Sequence, residues 1–275
     1  DHTRADVTFA PAVDQIADDV PILYDRSCHQ YQAGSEAQAC TFDYSEGRED
    51  AVAVALVGDS HAVQWFPALD IVAEEQGWVL QTYTKAACPL NAAVLAYPAP
   101  TRYDECVTWN ARVMQELTRS GPDMVIATAS ASYTAVLSDE ELVEGPDAYL
   151  LMAQGYADSW EELVSAGVRV AMLEDSPRPG IDVAECLSLN TDDPGQCAFP
   201  REAALQESSL MNTAAAGMGG VHVVDLNDYV CPDQECQMVI GGLVVYRDLN
   251  HLTASYAATL APMLQRALGD SVSAG

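Results

Sequence analysis

Five short apolar segments alternate with segments of helical periodicity, and this alternation constrains the possible folds more than any other feature of the chain. Continuous apolar runs of this length are typical of strands that are buried on both faces of a parallel sheet. Because parallel strands need crossover connections, the helices between them cover both faces of the sheet. We therefore predict an α/β protein with three layers, α/β/α, around a five-stranded and mostly parallel sheet. The predicted strands are 51–57, 79–84, 124–127, 168–173 and 221–225.

The rest of the chain divides into predicted helices and irregular segments. Residues 1–50 are polar, and we predict that they form an irregular segment wrapped around a single domain at 51–275. Residues 176–200 and 228–250 contain Pro, Gly and two cysteines each, so we predict long loops there. The predicted helices are 62–75, 105–119, 148–165, 201–216 and 253–268.

The first predicted strand ends in Gly58, Asp59 and Ser60, where a turn leads into the first predicted helix. In parallel α/β sheets, ligands bind beyond the carboxyl ends of the strands, so this turn is a candidate site. The free N–H groups and the dipole of a helix N-terminus stabilise an oxyanion that develops beside such a serine. Asp and Ser are also ordinary helix caps, so the tripeptide by itself leaves a structural role open.

Asp248 and His251 lie on a second candidate turn, directly before the last predicted helix. A serine nucleophile needs a general base, and histidine titrates near neutrality. A carboxylate three residues before the histidine is able to reach one ring nitrogen and to hold the ring in the required tautomer. His251 alone also fits a structural residue at a helix start, but its combination with Asp248 and Ser60 predicts a catalytic triad.

Three segments carry a resemblance to a known family. Residues 58–69 resemble the first sequence block of the SGNH hydrolase superfamily, and residues 246–253 resemble its terminal Asp-x-x-His block. Residues 85–89, with the pattern Lys-x-x-Cys-Pro, resemble a segment of the SGNH domains that are fused to the membrane domain of bacterial acyltransferase-three proteins. The resemblance extends over about 20–268, and its first and last blocks are the most specific.

Membership of this family implies an SGNH/flavodoxin-like fold, with the catalytic domain at 51–275. It implies that Ser60 is the nucleophile, that His251 is the general base and that Asp248 orients the base. The implied reaction is the transfer or removal of O-acyl groups, usually acetyl, on glycans or glycolipids outside the cytoplasm. The family needs no metal and no organic cofactor for this chemistry.

The sequence departs from the family pattern at the oxyanion hole. The superfamily takes donors from a Gly in its second block and an Asn in its third, but residues 84–88 contain no Gly and residues 127–132 no Asn. A main-chain N–H donates whatever its side chain, although the loss of one donor slows such enzymes roughly a hundredfold or more. An incomplete hole therefore predicts a slow hydrolase. The predicted donors are the main-chain N–H groups of Ser60 and of Ala86 or Ala87, and the hydroxyl of Ser130.

Four further residues near these blocks are predicted to contact the substrate. They adjoin the predicted nucleophile, the end of the second strand or the triad turn. A structural role in the first helical turn is an equal alternative for the residue after the nucleophile, and an ion pair with an acid is an alternative for the lysine. The four residues are His61, Lys85, Tyr246 and Arg247.

Eight cysteines bear on the redox compartment. They lie in loop-like surroundings, and none shows the close Cys or His spacing of a zinc site. An even number favours disulfides, hence a compartment outside the reducing cytoplasm, although reduced buried cysteines remain an alternative. Pairing between neighbours in sequence is a hypothesis, because eight cysteines allow 105 connectivities. The neighbours are Cys28 and Cys40, Cys88 and Cys106, Cys186 and Cys197, and Cys231 and Cys236.

The charge of the chain excludes several classes of partner. Acidic residues number 41 and basic residues 12, which gives a formal net charge of −29, and Lys85 is the only lysine. Nucleic acids and anionic membrane surfaces bind clustered Lys and Arg, so neither is a predicted partner. The sequence shows no signal peptide and no apolar run of about 20 residues. Since an oxidised domain must be exported, we expect a signal or a membrane anchor to precede it in a longer precursor.

These expectations combine into one functional hypothesis with two alternatives. We predict an extracytoplasmic serine O-acyltransferase domain that is tethered to the membrane and has weak esterase activity in isolation. Its predicted partners are a membrane acyltransferase domain that delivers the acyl donor, and a glycan or glycolipid acceptor. A stand-alone secreted esterase with the same triad is the first alternative. A non-catalytic glycan-binding module is the second, because the oxyanion blocks lack their Gly and Asn.

Overall fold

A central β-sheet has helices on both of its faces, which confirms the predicted three-layer α/β/α class. The computed structural model describes residues 8–133, 135–205 and 209–272. Parts of three predicted segments, 1–50, 201–216 and 51–275, lie outside these described residues.

The central sheet has seven strands, so the predicted count of five is corrected. The five predicted strands are all present, and the N-terminal segment adds two more along the outer edge of the second of them. In chain order the strands are β1 (His29–Gln30), β2 (Cys40–Asp43), β3 (Ala53–Gly58), β4 (Val79–Lys85), β5 (Met124–Thr128), β6 (Arg169–Leu173) and β7 (Val221–Val224). Their order across the sheet is β1-β4-β3-β5-β6-β7, with β2 also paired to β4. Every pair is parallel except β2 with β4.

Short strands form three smaller sheets outside the central one. The first has three strands, and the other two have two strands each. The pairings are Val94–Leu95 with Ala135–Ser138 and Glu141–Glu144, Phe199–Pro200 with Glu235–Cys236, and Val239–Ile240 with Leu243–Val244.

Helices connect the strands and cover the sheet. The α-helices of the described ranges are α1 (Ser60–Gln76), α2 (Asp104–Ser120), α3 (Gly145–Ser165), α4 (Val183–Leu189), α5 (Arg201–Leu205), α6 (Ser209–Ala215), α7 (Asn227–Val230), α8 (Ala254–Thr259) and α9 (Ala261–Val272). None of these helices is long and apolar enough to cross a membrane.

Two predicted segments differ from the observed helices. The predicted helix 253–268 is divided into α8 and α9, because Pro262 has no N–H to continue the hydrogen bonds of α8. The predicted loop 176–200 contains α4, which begins where the Asp182 side chain accepts the N–H of Glu185 at 2.8 Å. A helix of seven residues carries too little periodicity to be recognised in the sequence.

Each central strand supplies both layers of the hydrophobic core, because successive side chains of a strand point to opposite faces. In β3, Val54 and Leu56 belong to the layer that contains α1, α8 and α9. Ala55 and Val57 belong to the layer on the opposite face, with α2, α3 and α6. This double burial explains why the central strands are continuous apolar runs in the sequence.

The strand order creates a crevice at the carboxyl end of β3. The chain leaves β3 through α1 to reach β4, and then returns past β3 through α2 to reach β5. Such a reversal of direction is where open α/β sheets bind their ligands. Because β4, β3, β5 and β6 are parallel neighbours, the loops that follow them lie side by side at this edge.

The eight cysteines form four disulfides, each between neighbours in sequence, as the local-pairing hypothesis states. Two of them fasten the surroundings of the crevice: Cys28–Cys40 joins the N-terminal strands, and Cys88–Cys106 joins the turn after β4 to α2. The other two, Cys186–Cys197 and Cys231–Cys236, close loops on the α4 and α7 side of the chain.

Candidate active site

Ser60, Asp248 and His251 meet at the carboxyl edge of the sheet. The Nε2 atom of His251 lies 2.8 Å from the Oγ atom of Ser60, across 191 residues of sequence. The Nδ1 atom of His251 lies 2.9 Å from Oδ2 and 3.0 Å from Oδ1 of Asp248. When Nδ1–H donates to the carboxylate, Nε2 is free to accept the proton of Ser60, which is the arrangement of a serine hydrolase triad.

The surroundings of His251 and Asp248 set protonation states that suit base catalysis. Burial lowers the pKa of His251; the charges of His61 and Arg247 add to this effect, while the hydrogen bond to the carboxylate opposes it. Burial acts to raise the pKa of Asp248, but the His251 ring and the main-chain N–H groups of Asn250 and His251 outweigh it and hold that pKa well below its usual range. At neutral pH the imidazole is therefore an unprotonated base beside an ionised carboxylate.

A closed loop holds the base and its carboxylate together. Tyr246 and Leu252 form an antiparallel β-bridge across the ends of this loop. Within it, the Oδ1 atom of Asp248 accepts the main-chain N–H groups of Asn250 and His251, at 3.0 and 2.8 Å. Hydrogen bonds within this short loop are enough to hold the carboxylate against the imidazole. For this reason the pair could be predicted from the sequence.

Gln64 fastens the triad loop to α1. Its Oε1 atom accepts the N–H of Leu252 at 2.9 Å, and its Nε2 atom donates to the Oγ of Ser176 at 3.2 Å. Gln64 lies four residues after Ser60, so both side chains are on one face of the helix. A single helix therefore positions Ser60 and the loop that carries His251.

Asp59 joins the turn after β3 to the loop after β5. It caps α1, since its Oδ1 atom accepts the N–H of His61 at 2.7 Å. Its Oδ2 atom accepts the N–H of Ser130 at 3.0 Å and the hydroxyl of Tyr133. The side chain is fully buried, so these three bonds fix the backbone directly before Ser60.

Ser60 and Ala87 both line the cleft beside His251, and their main-chain N–H groups are candidate oxyanion donors. Ser60 is the first residue of α1, so its N–H has no acceptor within the helix. Ala87 follows β4 with a φ of 52°, and no acceptor for its N–H occurs in the described part of the chain. This left-handed conformation is one that glycine favours. Ala87 thus has a glycine-like backbone in the segment where the superfamily pattern places its Gly.

The other two predicted oxyanion donors are already engaged. The prediction that Ala86 is an oxyanion donor is wrong. Its N–H already donates to the carbonyl of Gln30 at 2.8 Å, where β1 pairs with β4. The Oγ atom of Ser130 lies 2.8 Å from the Oγ of Ser132 and accepts a hydrogen bond from the guanidinium of Arg178. Ser130 does line the crevice, so its role as a donor stays a prediction.

A cleft of about 260 Å³ opens over Ser60 and His251. Its walls come from the turns after β3 and β4, the loop after β5, the triad loop and the N-terminal segment. Several lining residues belong to no recognisable motif, and only the fold brings their loops to one edge of the sheet. The lining residues that sequence analysis did not identify are Gln32, Tyr97, Ser132, Tyr133 and Asn250.

The prediction that Lys85 contacts the substrate is wrong, because the N-terminal segment covers the lysine. Its side chain is fully buried, and its Nζ atom donates to the carbonyls of Tyr31 and Gln32, at 2.9 and 2.6 Å. The ammonium also lies over the ring of Tyr103, 5.0 Å from the centroid. Burial lowers the pKa of Lys85 to about 8. The lysine thus holds the main chain of Gln32, a cleft residue, and does not itself line the cleft as the structure describes it.

Lys85→Met is expected to lower the free energy of unfolding by about 1 to 2 kcal/mol, because two main-chain carbonyls lose their donor while the methylene stem is kept. Urea denaturation measures this loss. Arg119→Met is the matched control, since Arg119 forms an exposed ion pair with Glu116 within α2. Exposed pairs contribute little, so we expect a change within about 0.5 kcal/mol there. A Lys85→Met protein as stable as the wild type would contradict this role.

The prediction that Tyr246 and Arg247 contact the substrate is also wrong for the described cleft, which neither residue lines. The Tyr246 side chain is fully buried and packs edge-on against Phe199, with ring centroids 5.8 Å apart. The guanidinium of Arg247 lies 5.5 Å from the ring centroid of Tyr24 and 3.8 Å from Oδ2 of Asp248. Both residues anchor the triad loop: Tyr246 anchors it to the core, and Arg247 anchors it to Tyr24 of the N-terminal segment.

His61 is the predicted substrate residue that does line the cleft. Its imidazole is buried, and its Nδ1 atom lies 2.5 Å from Oδ1 of Asp175. Sequence analysis missed Asp175, although its position directly beyond the predicted strand 168–173 was a usable signal. The two residues reach each other across 114 residues of sequence because α1 begins beside the carboxyl end of β6.

Of three similar solved structures, the first shares the fold of this chain. The periplasmic domain of a lipopolysaccharide acetyltransferase from Salmonella ser. Paratyphi A is similar at a TM-score of 0.62 and 16% identity, over 82% of this chain and 85% of that chain. A putative acylhydrolase from Bacteroides fragilis has a TM-score of 0.49 at 12% identity, over 82% and 90%. A putative SGNH hydrolase from Slackia heliotrinireducens has a TM-score of 0.48 at 15% identity, over 80% and 100%.

Comparison with protein families identifies the chain. A search of curated proteins found no match. The family described as "SGNH domain (fused to AT3 domains)", where AT3 denotes acyltransferase three, matches residues 27–266. The matched region holds the whole triad, the cleft and the central sheet. Since it covers most of the sequence, the protein belongs to the family of SGNH domains fused to AT3 domains.

Proposed function

We propose that this domain is an extracytoplasmic O-acyltransferase, in which Ser60 carries an acyl group, acetyl by preference, to a hydroxyl of a cell-envelope glycan or glycolipid. The observation that carries the proposal is the hydrogen-bonded chain from Ser60 through His251 to Asp248, with 2.8 Å between Oγ and Nε2 and 2.9 Å between Nδ1 and Oδ2. Membership of the family supports acyl chemistry. The acetyltransferase among the similar structures supports the class of acceptor.

The first half-reaction acylates Ser60. Its Oγ attacks the carbonyl carbon of the acyl donor while Nε2 of His251 takes the hydroxyl proton. The N–H groups of Ser60 and Ala87 donate to the oxyanion of the tetrahedral intermediate. Collapse of the intermediate breaks the bond to the donor's leaving group, which receives the proton from His251. An ester between the acyl group and Ser60 remains.

The second half-reaction transfers the acyl group. His251 takes the proton of the acceptor hydroxyl, whose oxygen attacks the ester carbonyl. When the tetrahedral intermediate collapses, the Oγ of Ser60 leaves and regains a proton from His251. Water acts as the acceptor in the isolated domain, which yields free acid and makes the domain a weak esterase. A cleft of about 260 Å³ is below the usual size of drug-sized ligand pockets, which supports a short acyl group.

Two observations support the proposed cellular setting. Four disulfides support a location outside the reducing cytoplasm. The family is described as fused to AT3 domains, which supports a membrane acyltransferase domain as the partner that supplies the acyl donor and tethers this domain to the membrane.

Acyl transfer and plain hydrolysis differ in how the acyl-enzyme partitions. The purified domain is expected to release p-nitrophenol slowly from p-nitrophenyl acetate. On addition of O-deacetylated lipopolysaccharide, we expect the yield of free acetate to fall and O-acetyl signals to appear in the NMR spectrum of the glycan. Acetate yields unaffected by any hydroxyl acceptor would favour the esterase alternative. The absence of p-nitrophenol release above the uncatalysed rate would contradict both enzymes.

A further inference from the structure

A second imidazole–carboxylate pair lies beside the triad, and the mechanism above does not use it. The Nδ1 atom of His61 lies 2.5 Å from Oδ1 of Asp175, and only 1% and 2% of the two side chains are exposed. The Oδ2 atom of Asp175 accepts the N–H of Ala131 at 2.9 Å and lies 3.6 Å from the guanidinium of Arg178. These contacts hold the carboxylate, and through it the imidazole, in one orientation.

The imidazole of His61 packs directly against the catalytic base. The ring centroids of His61 and His251 are 4.7 Å apart, with 47° between the ring planes. The outer nitrogen of His61, Nε2, is buried and has no hydrogen-bond partner among the described residues. A buried polar atom without a partner costs free energy, so its retention in an active site calls for an explanation.

The charged groups around His61 favour a proton on its ring. Burial acts to lower the pKa of His61, but the charge and the hydrogen bond of Asp175 outweigh burial and raise it. Asp59 adds to the rise and Arg178 opposes it. Burial acts to raise the pKa of Asp175, but the charge and the hydrogen bond of His61 outweigh burial and hold that pKa below its usual value. These contacts favour the form of the pair in which His61 is an imidazolium beside the Asp175 carboxylate.

The groups around His251 come from three elements. Its own loop contributes Asp248 and Arg247, and α1 contributes His61. The N-terminal segment contributes His29, which burial brings to a pKa of about 4, so that it is uncharged at neutral pH. Arg247 and, when it is protonated, His61 are therefore the groups that place positive charge against His251.

We propose that His61 and Asp175 act as a positioning pair for the acyl transfer proposed above: the pair keeps a positive charge against His251 and so keeps that ring an unprotonated base in mildly acidic surroundings. Asp175 acts through His61 and not on His251 directly. The pair belongs to the active site without touching the reacting atoms. This inference rests on the proposed function only for its biological meaning, because the state of the His251 ring is measurable without catalysis.

The direction in which the pKa of His251 moves in the Asp175→Asn variant separates this role from a simple charge effect. Loss of the Asp175 charge alone, acting over distance, favours the neutral form of His251 and moves its titration to lower pH. If Asp175 instead keeps His61 protonated, Asp175→Asn lets His61 lose its proton, and the titration of His251 moves to higher pH. His61→Gln is expected to move it in the same direction, by roughly one to three pH units for the loss of a unit charge at this distance in a partly buried site.

A double variant guards against misfolding. His61→Gln alone removes the closest partner of the buried Asp175 carboxylate and leaves it only the longer ion pair with Arg178, at 3.6 Å, which is destabilising. His61→Gln combined with Asp175→Asn removes both charges and leaves two amides in hydrogen-bonding reach. Because the two residues act as one unit, the shift in the double variant is expected to be no larger than that of His61→Gln alone. His222→Gln is the matched control, since His222 is exposed and bonds only to the carbonyl of Ala267 in the described residues.

Two readouts test the proposal. The first is the acid limb of the pH profile of kcat/KM for p-nitrophenyl acetate, which reports the catalytic base of the free enzyme. The second is the NMR titration of the His251 ring in a Ser60→Ala background, assigned with a His251→Gln variant. An upward shift of at least about one unit in the double variant, in both readouts, with none in His222→Gln, supports the pair.

The contrary outcomes are equally definite. A folded double variant whose His251 titrates as in the wild type overturns the inference, and so does a downward shift in Asp175→Asn. If the wild-type domain proves inactive but the NMR shift is present, the proposed function fails and the inference about His251 stands.

Discussion

Ser60→Ala is expected to lower kcat/KM for p-nitrophenyl acetate by at least about 10⁴-fold. The substitution removes the Oγ atom that lies 2.8 Å from Nε2 of His251, and with it the nucleophile and the proton that the base takes. The fold is expected to persist, because Asp59 and not Ser60 caps α1. Initial rates at pH 7.5 measure the loss, and mass spectrometry of the intact protein checks that the acetyl adduct disappears.

Ser120→Ala is the matched control for this loss. Ser120 ends α2 on the surface, where its hydroxyl donates to the carbonyl of Glu116 at 2.8 Å. We expect this variant to hydrolyse the ester at the wild-type rate. If Ser60→Ala retained more than a tenth of the wild-type rate, the assignment of the nucleophile would be wrong, and hydrolysis would have to be attributed to another group.

Gly58→Ala is expected to lower the free energy of unfolding by about 3 kcal/mol, or to prevent folding. A Cβ atom at this position would lie 1.9 Å from the carbonyl oxygen of Thr128, in the neighbouring strand β5. Because β3 is paired on both sides, the main chain has no room to move without breaking the hydrogen bonds of the sheet. Glycine is required here by the close approach of two strands, which adds to the turn expected from the sequence. Urea denaturation gives the change in unfolding free energy.

Gly219→Ala is the control for a glycine in open space. A Cβ atom on Gly219 meets no other atom within 4 Å, so we expect a change within about 0.5 kcal/mol. Equal losses from both substitutions would show that the strand contact at Gly58 is not the cause. A stable but inactive Gly58→Ala protein would show that the main chain had moved at Ser60 without unfolding.

The central strands were predictable and the N-terminal strands were not, for one physical reason. A strand buried on both faces must be apolar throughout, and this leaves a continuous run such as Val54 to Val57. The strands β1 and β2 lie at the sheet edge, and their residues include the polar Gln30 and the exposed Asp43. Their formation depends on hydrogen bonds to β4, and main-chain hydrogen bonds leave no pattern in the side chains.

The substrate predictions failed where proximity in sequence was taken for proximity in space. Tyr246 and Arg247 directly precede the triad carboxylate, yet neighbouring residues of an extended chain point in opposite directions. Tyr246 therefore enters the core, while Arg247 reaches the ring of Tyr24. Lys85 is the only lysine of an acidic chain, which made it a plausible anion contact, but its partners are main-chain carbonyls of the N-terminal segment.

Sequence patterns were sufficient to predict the layers of the fold and the three side chains that meet in the arrangement of a triad. The fold and the triad side chains each follow from short-range sequence patterns. These patterns are the apolar runs of the strands, the turn at Ser60, and the loop that joins Asp248 to His251. The three-dimensional contacts were needed to show which N–H groups stay available for an oxyanion, that Lys85 is covered, and that His61 meets Asp175. The end of strand 168–173 marks Asp175 in the sequence, but its partner depends on which segments from distant parts of the chain come to the same sheet edge. Short-range patterns do not specify those contacts.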